Sequence, residues 1–118
     1  MVMPDITIIR GDIVLVQPDT MIGHEQKGTR PAVIVQNDDG NDLSNVTVII
    51  PLTDSRGKKQ YSFMAKINKG DGGVRKDSYA PADQIRVIDK RRIIEHWGHL
   101  SDKAIMEVDA ALRDELSL

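Results

Sequence analysis

Arg30 is the residue of this sequence whose chemistry and setting are most informative. It stands directly before Pro31 and the apolar run 32–35, and a proline favours an extended backbone at the residue before it. A guanidinium keeps its positive charge and can bind two oxygens of a phosphate or a carboxylate at once. The sequence therefore predicts a fixed cation at a strand entrance, although a surface arginine paired with Glu25 would give the same pattern.

The segment before Arg30 carries groups that could transfer protons or bind a polar ligand. His24, Glu25 and Gln26 lie within residues 17–29, which predict a loop longer than most connections in small domains. An imidazole changes its charge near neutral pH and can donate or accept a proton there. We therefore expect this loop to be functional.

Thr53 is a second candidate for chemistry. It follows the apolar run 46–52 and precedes the polar residues Asp54 and Ser55. Its hydroxyl can donate to or accept from a phosphate oxygen, but a threonine needs a neighbouring group before it can act as a base. A threonine that caps a turn at the end of a strand is the alternative interpretation.

Composition limits the kind of protein that carries these residues. The chain of 118 residues is 40% apolar and 29% charged, which is typical of one globular domain, 1–118. It has no cysteine, no apolar run long enough for a membrane span and no visible signal peptide, so we expect a cytoplasmic protein. The net charge is −2, but residues 56–92 carry 11 basic and 4 acidic side chains, which could follow phosphates or form a solvated face.

The residues between these candidates indicate many short strands and one terminal helix. Alternating or buried apolar residues predict strands in the segments 7–17, 32–36, 46–52, 61–67, 78–80 and 84–88. Polar composition predicts a turn at 37–42, and residues 89–94 could open a helical turn. This pattern favours a mainly β fold built as a compact barrel, with a C-terminal helix, over a βαβ fold.

Residues 101–116 predict the clearest helix. Ser101 is a good N-cap, and Ile105, Val108, Leu112 and Leu116 form an apolar stripe with helical spacing.

His96, Trp97 and His99 precede that helix. Two histidines three residues apart, without a cysteine, are a weak signal for a metal site, so we expect no metal. We expect Trp97 to pack beneath the helix.

Several segments together resemble the MazF/PemK/Kid family of toxins from bacterial toxin–antitoxin pairs. The resemblance is carried by five blocks in the family's order over about 110 residues: RGDI from Arg10, GHEQKGTRPAVIVQND from Gly23, PLT from Pro51, DQIR with ID from Asp83, and VDAAL from Val108. It implies a small SH3-like β-barrel, as in MazF, Kid and CcdB, with a C-terminal helix. It also implies a sequence-specific, metal-independent endoribonuclease without a cofactor, which cuts single-stranded RNA and leaves 2′,3′-cyclic phosphate and 5′-hydroxyl ends.

The resemblance further implies partners and site residues. A symmetric homodimer would hold RNA in a groove that the acidic tail of a cognate antitoxin blocks, with residues 46–52 and the terminal helix contributing to the dimer contact. The residues that match catalytic positions are Arg30, Thr53, His24 and Asp83. Those expected to bind substrate are Glu25, Gln26, Lys58, Lys59 and Arg86.

Two questions stay open at the level of the sequence. Pro81 stands where the Kid branch has an arginine, so either Arg30 with Thr53 or His24 with Asp83 could carry the acid–base steps. A CcdB-like gyrase poison or a non-catalytic SH3-like binding module would also fit a basic middle segment.

Overall fold

The computed structural model describes residues 7–17 and 28–118. The elements in these residues are β1 (Asp12–Val16), β2 (Arg30–Ile34), α1 (Asp38–Leu43), β3 (Val46–Pro51), β4 (Thr53–Asp54), β5 (Met64–Ile67), β6 (Ser78–Pro81), β7 (Arg86–Asp89), β8 (Ile93–His99) and α2 (Asp102–Leu116). Short 3-10 turns lie at Asp71–Gly73, Ala82–Gln84 and Lys90–Arg92. No helix in this part of the chain is long and apolar enough to cross a membrane.

The strands form two antiparallel sheets. The larger sheet has the order β7-β3-β2-β1-β8, and the smaller sheet has the order β4-β6-β5. The predicted mainly β fold with a C-terminal helix is confirmed. The described strands do not close into one hydrogen-bonded ring, however, because β3 ends in the larger sheet and β4 begins the smaller one.

The central strands of the larger sheet, β1, β2 and β3, contribute buried side chains on both faces. Ile13, Val33 and Ile50 point to a core shared with the smaller sheet and α2, whereas their neighbours Val14 and Ile34 belong to a second cluster on the other face. Successive side chains of a strand point to opposite faces, so one apolar run supplies both clusters. This explains why β1, β2 and β3 read as nearly continuous apolar segments.

Two segments differ from the sequence-based prediction. Residues 38–43 form α1 and not a turn, because the Asn37 side chain accepts a hydrogen bond from Gly40 N at 2.8 Å and caps the helix. In the segment 89–94, only Lys90–Arg92 forms a helical turn. Residues 93–99 form the strand β8. Its pairing with β1 is shifted at two points, so its side chains lack the regular alternation that marks a strand in the sequence.

The terminal helix begins where the sequence predicts. Ser101 Oγ accepts a hydrogen bond from Ala104 N at 3.2 Å. Val108 and Leu112 are buried as expected, but Leu116 in the final turn is 49% exposed. The predicted apolar stripe is therefore wrong at its last member.

The turn Asp71–Gly73 packs tightly against β8. Gly73 has φ +85°, and a Cβ added to it would lie 2.8 Å from the carbonyl oxygen of Trp97. A Cβ added to Gly98 would lie 2.8 Å from the carbonyl oxygen of Gly72. The two backbones can approach this closely only because glycine occupies these positions.

We expect Gly73→Ala to destabilise the fold more than Gly57→Ala. Gly57 also has a positive φ, +71°, but an added Cβ meets nothing within 4 Å. Gly57→Ala, the control, should lower the free energy of unfolding by about 1 kcal/mol from backbone strain alone. Gly73→Ala should lower it by about 3 kcal/mol, because the backbone must also move. Urea unfolding of the two variants measures the difference, and equal losses would contradict the packing described here.

Candidate active site

The pairing of β2 with β3 brings Arg30 towards Thr53. Ala32 lies opposite Pro51, and Leu52 N–H donates to the carbonyl oxygen of Pro31 at 2.9 Å. Arg30 and Thr53 are the next residues of the two segments, and both line the same cavities. Two residues 23 positions apart in the sequence are thus brought together by backbone hydrogen bonds.

Two cavities open beside this pair, and Arg30 and Thr53 line both of them. The first cavity has a volume of about 360 Å³, and its other walls are Pro51, Tyr61, Phe63, Met64, Pro81, Asp83 and Gln84. The second has a volume of about 500 Å³ and is lined by further cationic side chains and by Trp97. An extended chain of nucleotides or peptide units bound across Arg30 and Thr53 could place one part in each cavity.

The Thr53 hydroxyl has a defined hydrogen-bond partner. Lys58 Nζ lies 2.7 Å from Thr53 Oγ1. An ammonium group only donates, so the hydroxyl oxygen accepts and its own hydrogen must point elsewhere. Lys58 is itself positioned by its carbonyl oxygen, which accepts a hydrogen bond from the Tyr79 hydroxyl at 3.3 Å. The Thr53 hydroxyl is therefore free to donate its hydrogen to a ligand in the cavities.

Asp54 is the carboxylate among the residues that line the second cavity. The backbone N–H of Arg56 donates to it at 3.0 Å and the Arg56 guanidinium pairs with it at 3.0 Å, while Lys76 Nζ lies 3.8 Å away. These hydrogen bonds, and less so the positive charges, hold the pKa of Asp54 below its usual range. Asp54 is thus a carboxylate near neutral pH and is not suited to act as a general acid.

The other candidate residues are distributed unevenly around this site. Asp83, in the turn after β6, lines the first cavity. The Lys59 ammonium lies 5.3 Å from the centre of the Tyr61 ring, and Lys59 is not among the residues that line the first cavity. Arg86 begins β7 opposite Ile49 and is not among the residues that line either cavity.

Three candidates fall outside the described residues. They are His24, Glu25 and Gln26, which precede residue 28.

Aromatic side chains contribute more to the site than the sequence suggested. Tyr61 and Phe63 stack with their ring centres 5.5 Å apart and their planes 1° from parallel, and both line the first cavity. Trp97 packs partly against the core, as expected for a packing residue, but it also lines the second cavity. The alternation of Tyr61 and Phe63 was a usable signal, and the low aromatic content of the whole chain concealed it.

The two histidines near Trp97 share one buried carboxylate. Asp12, with its side chain 5% exposed, lies 3.0 Å from His96 Nε2 and 2.7 Å from His99 Nδ1. These contacts join β1 to β8. Within residues 7–17 and 28–118, no group of three or more His, Asp or Glu residues is arranged to hold a metal ion.

A larger cavity than these two lies elsewhere in the described residues, between α1 and the turn Lys90–Arg92. Its volume is about 960 Å³, and its lining includes the four carboxylates Asp38, Asp39, Asp42 and Asp89 but neither Arg30 nor Thr53. A cavity with so many carboxylates is poorly suited to a phosphate ligand. The pair Arg30–Thr53 therefore marks the better candidate site.

Comparisons with known proteins agree with this fold. A family model described as the PemK-like, MazF-like toxin of type II toxin–antitoxin system matches residues 9–116. Over 111 residues the chain is 39% identical to the endoribonuclease MazF of Staphylococcus epidermidis. The match covers 94% of this chain and 92% of that protein.

Solved structures have the same fold. A MazE–MazF structure from Deinococcus radiodurans matches with a TM-score of 0.75 and 28% identity, over 97% of this chain and 99% of that chain. An endoribonuclease in complex with its cognate antitoxin, from Mycobacterial species, matches with a TM-score of 0.77 over 94% of this chain and 96% of that chain; at 22% identity it supports the fold alone.

We expect the Asp54 carboxyl to titrate below the ordinary range of an aspartate in a carboxyl-carbon NMR titration. Arg56→Ala should raise the pKa of Asp54 only in part, because the backbone N–H, which lowers that pKa most, remains. Lys76→Ala is the matched control and should raise it less, since its charge acts from 3.8 Å. An Asp54 carboxyl that titrates in the ordinary range in the unchanged protein would contradict these contacts.

Proposed function

The chain belongs to the PemK-like, MazF-like toxin family of type II toxin–antitoxin systems, and we propose that it cuts single-stranded RNA without a metal ion or other cofactor. The observation that carries this proposal is the pair Arg30–Thr53 at the junction of two cavities. The substrate would lie across this junction, with the phosphate to be cleaved beside the guanidinium. An RNA-cleaving toxin would act in the cytoplasm, where its substrate is.

The proposed reaction is an internal transfer at phosphorus. The 2′-oxygen of one nucleotide bonds to the adjacent phosphorus as its proton leaves, and the bond from phosphorus to the 5′-oxygen of the next nucleotide breaks as that oxygen gains a proton. The products are a 2′,3′-cyclic phosphate and a 5′-hydroxyl end. Arg30 stabilises the extra negative charge of the phosphorane through two parallel hydrogen bonds.

Thr53 has a donor role in this proposal. Its oxygen accepts from Lys58 at 2.7 Å, which leaves its hydrogen for a phosphate oxygen. Lys58 orients the hydroxyl and adds a positive charge near the phosphate. This arrangement answers the difficulty that a threonine alone is a poor base, because no proton is taken from the substrate by Thr53.

The proton transfers fall to His24 or Asp83. Asp83 lines the same cavity as Arg30, and the residue two positions earlier, Pro81, supplies no charge that could hold it in place. His24 belongs to the segment before Arg30 that the sequence predicts to be a loop, and it lies outside the described residues. His24 and Asp83 are both candidates, and the variants His24→Ala and Asp83→Asn separate them. Glu25, Gln26, Lys59 and Arg86 remain proposed RNA contacts.

The proposal includes two protein partners. Solved structures of similar proteins contain an antitoxin, and an acidic antitoxin tail would fit the cationic side of the site. A homodimer would extend the groove beyond one small chain. Because β3 is paired on both edges within the chain, it could contribute to a dimer only through side chains, whereas α2 exposes Met106 and Leu116.

Incubation with RNA in the presence of EDTA tests the function directly. We expect cleavage to continue and the mapped ends to be 2′,3′-cyclic phosphate and 5′-hydroxyl, because the proposed steps use only side chains. Light scattering at micromolar concentration should give the mass of a dimer. Intact RNA together with inhibited DNA gyrase would instead indicate a gyrase poison, and RNA binding without cleavage would indicate a binding module.

Arg30→Ala should lower the cleavage rate roughly 100- to 1000-fold, the effect of removing one group that stabilises a developing oxyanion. Arg30→Lys should restore little, since an ammonium cannot form the two parallel hydrogen bonds. RNA binding should weaken less than turnover, because the charge that Arg30 meets is greatest in the transition state. Single-turnover kinetics measure the rate, and a folded Arg30→Ala protein with unchanged rate would end the assignment.

Matched variants then assign the remaining roles. Thr53→Val should cost roughly 10- to 100-fold, as expected for a lost hydrogen bond to a charged group. If Lys58 acts by orienting Thr53, Lys58→Met should lower the cleavage rate less in the Thr53→Val background than in the unchanged protein. A large loss in His24→Ala or Asp83→Asn, with an altered pH profile, identifies the residue that transfers the proton.

A further inference from the structure

The second cavity beside Arg30 and Thr53 has a wall that the proposed cleavage does not use. That wall is formed by Arg75 and Trp97. We propose that this cavity binds the base of one nucleotide next to the cleaved phosphate, and that the Arg75 guanidinium, packed against Trp97, is the surface on which that base stacks. This inference rests on the proposed RNA cleavage.

The geometry of the two side chains supports a stacking surface. The Arg75 guanidinium carbon lies 4.2 Å from the centre of the Trp97 ring, which is the distance of a cation–π contact. Arg75 is exposed while Trp97 is half-buried, so the indole supports the guanidinium from the protein side. Guanidinium planes are among the groups on which unpaired RNA bases stack. The outer face of Arg75 is therefore available to a base.

Trp97 is held in place from two directions. Its Nε1–H donates to Glu95 Oε1 at 2.8 Å, and its ring packs against the buried core. A side chain that is already ordered loses less conformational entropy when a ligand binds. The Arg75–Trp97 pair is thus organised before RNA arrives, unlike an arginine that extends alone into solvent.

The backbone places Arg75 over the indole. The turn Asp71–Gly73 approaches β8 so closely that a Cβ on Gly73 would meet the Trp97 carbonyl oxygen at 2.8 Å. Val74, which follows, is buried and also lines the cavity. The Arg75 side chain therefore extends from the backbone directly beside the Trp97 ring. The same glycine contact that stabilises the fold positions the proposed base-binding surface.

The charge of the cavity fits a nucleotide. Its lining contains four cationic side chains against one carboxylate, and that carboxylate already pairs with Arg56 and Lys76. Such a cavity attracts a phosphate backbone, and it would also attract an acidic peptide. The guanidinium plane of Arg75 beside the Trp97 ring favours the nucleotide, because a base has an aromatic face to stack and a glutamate side chain does not.

The experiment combines one protein change with one substrate change. The cleavage site is first mapped on a long RNA. Short RNAs are then made with an abasic nucleotide at each position that flanks the cleaved phosphate. In the unchanged protein, one of these positions should lower kcat/KM about 10-fold, within the range for losing the stacking of one base.

Arg75→Ala should cause a similar loss on the intact RNA and almost no further loss on that abasic RNA, because both changes remove the same contact. Arg75→Lys should behave like Arg75→Ala, since it keeps the charge but loses the plane. Arg56→Ala is the control, because it also removes one positive charge, and Arg56 pairs with Asp54 but does not itself line the cavity. It should leave the cost of the abasic position unchanged.

Trp97 gives an independent measurement, because it is the only tryptophan in the sequence. An RNA with a 2′-deoxynucleotide at the cleaved position binds without reacting, and it should change the Trp97 fluorescence of the unchanged protein. The abasic form of that RNA should change it less.

Three results would overturn the inference while leaving the cleavage intact. They are additive losses for Arg75→Ala and every abasic position, equal losses for Arg75→Ala and Arg56→Ala, and a fluorescence response to oligoglutamate but none to RNA. The last result would assign the cavity to an acidic protein segment. Failure of the unchanged protein to cleave intact RNA would instead refute the proposed function itself.

Discussion

The pairing of β2 with β3 is the contact on which the candidate site depends. The hydrogen bond from Leu52 N–H to the Pro31 carbonyl oxygen continues the ladder to the point where the chain leaves the larger sheet. Thr53 begins the smaller sheet directly afterwards. A slip of one residue would turn Arg30 to the other face of the sheet, so this register decides whether the guanidinium and the hydroxyl share a cavity.

Burial on both faces of the central strands of the larger sheet holds that register. Each of β1, β2 and β3 contributes side chains to both apolar clusters, so a shifted strand would misplace apolar groups on two faces at once. Arg10 adds a polar connection between distant segments. Its guanidinium donates to the Val35 carbonyl oxygen at 2.9 Å and pairs with Asp109 of α2 at 2.7 Å. The first and last blocks of the family resemblance therefore meet in the structure and support the scaffold rather than the chemistry.

The cavities differ in character although they share Arg30 and Thr53. One has the stacked rings of Tyr61 and Phe63 and the carboxylate of Asp83, and the other has cationic side chains around Trp97. In the proposed function, Arg30 and Thr53 act on the phosphate, which every RNA contains. The unlike side chains of the two cavities would then favour some bases over others.

Much of this protein could be predicted from its sequence. The N-cap at Ser101 and the helix after it follow from local hydrogen bonding and helical spacing, and Arg30 before Pro31 was recognisable because both residues lie in one short segment. Apolar runs likewise indicated most of the strands. By contrast, β8 was missed because its pairing with β1 is irregular, and Leu116 was misjudged because exposure depends on where the helix runs past the core.

Only the tertiary structure could decide which distant residues meet. The contact of Lys58 with Thr53 and the placement of Arg75 over Trp97 depend on sheet register and on a glycine turn that packs against a strand. Local sequence patterns report spacing along one element, whereas these contacts join elements whose relative position is set by hydrogen bonds and packing elsewhere in the fold. The sequence by itself therefore determined the fold class and the residue types available for chemistry, and the three-dimensional packing determined which of them form the site.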